Sequence, residues 1–225
     1  MPKGTTWAND YLKLTYNATA IANIADNAAA SPLTSLYASL TSAYPGASGD
    51  QTTGEITYTG YARAAVLRST SGFTVTGNSV SPVAQINFPQ CTGGSATANY
   101  FVIGTASSGA GKLLHTGPIG DKLGPFTAIA AGDVLTLPGL TGVAVDNRIA
   151  FFNADPAGLP TGITEGTVYW VKTVSTNDIT VSTTQGGATV DITAAGDGLA
   201  WKITPIAISS GVTPGLGTGT TIVDA

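Results

Sequence analysis

The sequence predicts a mainly β protein: an antiparallel β-sandwich or barrel-like base domain with one N-terminal amphipathic helix, plus a small inserted all-β domain. Three observations carry this. Beyond Pro32 the chain is written in short apolar or alternating runs separated by Gly, Pro, Asn and Asp, the pattern of strands joined by tight turns. Helical periodicity is confined to the segment before it. The composition has 43% hydrophobic residues but only 10% charged ones, with 29 glycines in 225 residues. Such a chain can bury a core and is too apolar to remain disordered.

Taken in order, Trp7, Tyr11, Leu14, Ala18, Ile21 and Ala25 recur at spacings that fall on one helical face. Thr6 suits the N-cap and Asp10 the positive end of the helix. Ser31-Pro32 closes the segment, because the residue before proline avoids the helical region. A helix over 6–26 results. Its stripe packs on the protein's own sheet or on a neighbouring subunit, since the polar side lacks the Lys/Arg array of a membrane-surface helix.

Strands follow at Leu33–Leu40, Tyr58–Leu67, Gly72–Val75, Val83–Phe88, Tyr100–Gly104 and Leu113-Leu114, with Tyr44-Pro45-Gly46 as a turn and 50–54 as a polar loop. From about Gly120 a compact series begins: Val134–Leu137, Arg148–Phe152, Thr167–Val174, Asp178–Ser182, Ala188–Ile192 and Leu199–Ile203. Val168-Tyr169-Trp170-Val171 is the most β-prone stretch of the chain. Ile206–Val212 and Thr221–Val223 resume the pattern of the strands before Gly120.

Titratable chemistry is scarce. One His, one Cys and two Glu leave most catalytic roles with a single candidate. Cys91 has no partner for an intramolecular disulfide and reads as a small buried hydrophobe. Ala106–Leu113 resembles a phosphate-binding loop only superficially: Ala106 stands at its first glycine, and Leu113 at its metal-binding hydroxyl. His115 has no second His or Cys nearby. Asp133, Asp146, Asp155, Asp178, Asp191 and Asp197 lack the spacing of a calcium loop and read as turn caps. No catalytic, cofactor or metal site is therefore expected. A net charge of −4 without a basic cluster argues against nucleic acid. No apolar run reaches the ~20 residues of a membrane span, and the start lacks the apolar stretch of a signal peptide.

Two sets of residues remain as binding candidates. Trp7, Tyr11, Leu14 and Ile21 on the helix, with Tyr58, Tyr61 and Arg63, are candidate interface anchors. For the last three, strand packing explains them at least as well. Tyr169, Trp170 and Trp201 are candidate surface-binding aromatics that could stack on sugars, against core packing as the plainer explanation.

Several motifs occur in one order: Leu36–Leu40, the loop 49–55, Tyr58–Arg63, Gly72–Val75, Ile86–Pro89, Gly109–Leu114 and Ile208–Pro214. Together they resemble a family of tailed-bacteriophage virion proteins described as tail-fibre-like, head-fibre or capsid-decoration proteins. In shorter members the strand similar to Lys112–Thr116 leads almost directly into the segment similar to Ile206–Pro214. The intervening stretch resembles a small β module found repeatedly in phage tail and virion proteins, on Asn147–Phe152, Leu159–Val171 and Asp178–Ser182. The resemblance implies a discontinuous base domain, 1–122 with 204–225, interrupted by a projecting β module at 123–203. It further implies a non-enzymatic virion structural protein made in the host cytoplasm. The major capsid protein or other virion proteins, and further copies of the chain up to a trimer, would be its partners. A role on the capsid exterior is expected; the alternative is a tail component whose module binds host surface glycan.

Overall fold

The computed structural model describes residues 4, 6, 7, 10, 20–25, 33–76, 79–154 and 158–223. It is mainly β, with every strand pairing antiparallel. The chain forms two compact units, Met1–Gly117 with Ile206–Ala225, and Pro118–Pro205.

In the first unit the strands are β1 (Ser35–Thr41), β2 (Ala64–Leu67), β3 (Phe73–Thr76), β4 (Ser79–Pro82), β5 (Ile86–Asn87), β6 (Ser95–Ala98), β7 (Tyr100–Gly104) and β8 (Leu113–Pro118). The main sheet runs in the order β2-β1-β7-β8. Its centre is β7, whose run Tyr-Phe-Val-Ile-Gly is buried throughout, as a strand covered on both faces must be. Ala38 and Leu40 of β1 and Leu113 and Leu114 of β8 extend the same core.

The second unit holds β9 (Gly120–Ile129), β10 (Val134–Thr136), β11 (Arg148–Phe152), β12 (Val168–Ser175), β13 (Asp178–Ser182) and β14 (Gly196–Ile203). These close into a barrel in the order β10-β13-β12-β11-β14-β9. Closure removes the exposed edges that an open six-stranded sheet would present. Inward positions supply Phe126, Leu135, Ile149, Phe151, Tyr169, Val171, Ile179 and Val181. The Phe126 and Phe151 rings lie 4.9 Å apart, and Phe151 and Tyr169 5.9 Å.

The chain then re-enters the first unit as β15 (Ile206–Ser209), β16 (Gly215–Leu216) and β17 (Ile222–Val223). This return runs antiparallel along a preceding stretch of the unit, pairing β15 with β6, β16 with β5 and β17 with β4. Backbone bonds from Cys91 to Val212, Gly211 to Cys91 and Phe88 to Pro214 join the paired segments.

Several sequence-based boundaries change. Thr6, Trp7 and Asp10 are helical, but 20–25 is a turn, so the helix does not extend to 26. Ile24 and Ala25 both donate backbone N–H to the Ile21 carbonyl, and Asn23 takes a left-handed φ of 66°, a conformation that ends helices and that Asn tolerates. Gly120–Ile129, for which the sequence marks no strand, is the longest strand of the barrel. The strand expected at Ala188–Ile192 is reduced to one bridge, Ser182 to Thr189.

Candidate functional site

Glu55, Tyr61 and Arg63 sit where the loop 49–55 meets the segment leading into β2. The Arg63 guanidinium meets the Glu55 carboxylate through two bonds, Nε to Oε1 and Nη2 to Oε2, both 2.7 Å. Its other donors reach the Ala106 carbonyl at 2.9 Å and the Gln51 carbonyl at 3.1 Å. A planar fork with five donors suits such a site, where a lysine could not satisfy four acceptor contacts at once. The Tyr61 phenol donates to Glu55 Oε1 at 2.9 Å and accepts from the Leu40 amide at 3.3 Å. Burial, then the Glu55 charge, pushes its ionisation well above the ordinary tyrosine value. Tyr58 donates to the Pro89 carbonyl at 2.7 Å, and its ring meets Tyr61 edge-on.

Gln51 completes this network and is unmarked in the sequence, where it reads as part of a polar loop. It is fully buried. Its side chain accepts from the Ala106 amide at 2.8 Å and donates to the Ala106 carbonyl at 3.4 Å. Gly104 and Gly111 make room for it: a Cβ there would lie 2.1 and 2.0 Å from Gln51 side-chain atoms. The only sequence trace of this packing is those two glycines. Arg63 and Tyr58, both buried, thus take the packing role rather than that of exposed interface anchors, and Tyr61 is half-buried beside them.

Of the helix candidates, Trp7 is half-buried and Ile21 buried, while Tyr11 and Leu14 lie outside the described residues. Asp10 pairs with Lys112. Trp7 lines an apolar groove of about 510 Å³ together with Leu36, Phe73, Val75, Val80 and Ile222. Val75 is 71% exposed at this groove, and Leu67 and Val83 of the same unit are 55% and 46% exposed.

The barrel separates the three remaining aromatics. Tyr169 belongs to the barrel core at 2% exposure, its phenol accepting from the Thr164 amide at 2.9 Å. It is therefore corrected from a surface candidate to a core residue, as strand alternation requires of the neighbour of an outward Trp170. Trp170 and Trp201 are half-buried on the opposite face. Cross-strand register sets Arg148 against Trp170, Ala150 against Trp201, and Trp201 against Lys122. The Arg148 guanidinium lies 4.8 Å from the Trp170 ring centroid, within cation–π range.

Cys91, Glu165, Asp133 and Asp178 are in structural roles. The Cys91 thiol is buried against the Gly93 carbonyl, and Glu165 accepts from the Asn153 amide. Asp133 accepts from the Ile192 amide at 2.8 Å, and Asp178 from the Thr136 hydroxyl at 2.7 Å. Asp133 and Asp146 take left-handed φ values of 57° and 67°, as turn aspartates do. Asp155 lies outside the described residues. Among the described residues no group of three or more His, Cys, Asp or Glu converges, and no helix is long and apolar enough to cross a membrane.

The model of a family described as Podophage GP4 fiber I protein gp80 matches residues 13–140, more than half of the chain. The chain belongs to this family of phage fibre proteins. As a phage fibre protein it is a component of the virion. The match spans β1 to β8 and continues through β9 and β10 of the barrel. No curated protein matches the chain.

Proposed function

We propose that this fibre protein is a non-enzymatic structural component of the capsid exterior. The first unit, the sandwich unit expected from the sequence, docks on the shell and contributes to its stability, and the barrel unit is carried as a projecting module. The family match over the sandwich strands is the observation that carries this reading. Two features of the unit support it. The buried Arg63 is spent on internal bonds, held by Glu55, Gln51 and Ala106. Its exposed apolar side chains Leu67, Val75 and Val83 offer apolar surface for association, as Ile129, Val145 and Val174 do on the barrel. Further copies of the chain, up to a trimer, fit the same mode of association.

Particles lacking the protein test the reading directly. Adding back purified chain is expected to restore it to the capsid in fixed stoichiometry and to raise the capsid melting temperature. Purified protein that neither sediments with capsids nor shifts their melting would refute docking.

A further inference from the structure

The outer face of the barrel carries a second arrangement that the docking reading does not use. β11 lies between β12 and β14. Trp170 projects from one flank and Trp201 from the other, with the small, fully buried Ala150 on the strand between them. Neighbouring strands are roughly 4.8 Å apart and residues advance roughly 3.4 Å, so the two tryptophan backbones stand about 12 Å apart along a diagonal. That separation suits a short chain of rings rather than a single one. Each tryptophan also adjoins an irregularity in its ladder: register shifts between Val171 and Thr173, and between Ala200 and Trp201. Such bulges re-aim side chains and gather next to functional sites. Two of them, each beside one of the two outward tryptophans, give this face a construction that core packing does not need.

The chemistry selects the ligand. Indoles offer flat apolar faces with a polar edge, which match the C–H faces and hydroxyls of a pyranose. Arg148 stands over Trp170, and the exposed Lys122 faces Trp201. Both ends of the diagonal therefore pair an aromatic with a cation; carboxylates stand near them in sequence, with Asp146 two residues before Arg148 and its amide bonded to the Val171 carbonyl, Asp121 beside Lys122, and Asp197 four residues from Trp201. We infer that Trp170, Arg148, Trp201 and Lys122 form a binding site for a short acidic oligosaccharide. This holds whether the protein occupies the head or the tail of the particle.

The test uses the full chain on arrayed oligosaccharides bearing uronic acid, sialic acid or sulfate, beside neutral counterparts, followed by calorimetry on those retained. Retention of acidic members that weakens as salt rises is expected. Trp201→Ala and Trp170→Ala should each raise Kd roughly fivefold to tenfold. Lys122→Glu, an exposed change that leaves the core untouched, should weaken binding as well, so the outcome does not hang on variants that disturb the barrel. Silence across the array overturns the inference. So does retention unaffected by Trp201→Ala and Lys122→Glu, or equal retention of neutral and acidic members.

Discussion

Replacing Arg63 by methionine removes a side chain that, together with Gln51, ties the loop 49–55 to the loop following β7. The guanidinium is 1% exposed and the Glu55 carboxylate 15%, so water cannot take over the lost contacts fully. Four hydrogen bonds disappear, two of them to an ionised group, and the Ala106 and Gln51 carbonyls lose a donor. Breaking a buried pair from one side costs about 3–5 kcal/mol, and the partial exposure of Glu55 places this case near the lower end. For a chain of this size that is a drop of roughly 6–12 °C in the melting of the sandwich unit. Urea denaturation should be read in parallel through probes in each unit. The sandwich transition should move to lower urea while that of the barrel stays in place. Glu55→Gln should cost less, because the amide keeps one acceptor for Arg63 and Tyr61. A loss below about 1 kcal/mol for Arg63→Met, or an equal shift in the barrel, would refute the network's structural role.

Three further outcomes follow from the same geometry. Gly104→Ala should destabilise the sandwich by about 1–3 kcal/mol through overpacking against Gln51, and Gln51→Ala in the same chain should recover part of that loss in denaturant titrations. Phe151→Ala should cost about 3–5 kcal/mol by leaving a cavity beside Phe126 and Tyr169, seen by calorimetry in the barrel transition alone. Stability should also fall in alkali. Burial raises the ionisation of Tyr61 and Tyr100 above the ordinary 10.0, so the neutral phenols stabilise the fold fully below that pH. The unfolded chain gains the advantage as pH climbs past it. Tyr61→Phe should flatten this alkaline loss, measured as the urea midpoint from pH 8 to 11.

The strands that can be read in the sequence are those whose own residues mark them. β7, β11 and β13 are dense in β-branched and aromatic side chains, and their spans fall where the apolar runs do. β4 and β6, by contrast, are Ser-Val-Ser-Pro and Ser-Ala-Thr-Ala. β6 is a strand because the C-terminal return pairs with it from over a hundred residues away, and β4 because it pairs with its neighbour β3 as well as with β17. β9 is obscured by Gly120, Gly124 and Pro125, residues that weaken a strand in isolation but are accommodated here by long pairing with β14. At the sites the same division holds. Alternation warns that Tyr169 and Trp170 point to opposite faces. No spacing could show that Trp201 faces Lys122, since only the register of β14 against β9 brings them together. The role of Gln51 is hidden for the same reason, its partner Ala106 lying 55 residues away.

The most direct measurement is the position of this chain on the intact particle. Cryo-electron microscopy of wild-type virions and of virions lacking the protein should give a difference density on the capsid exterior. The sandwich unit should sit against the shell and the barrel outside it. Difference density confined to the tail, or none on the particle surface, would contradict a capsid-docking role.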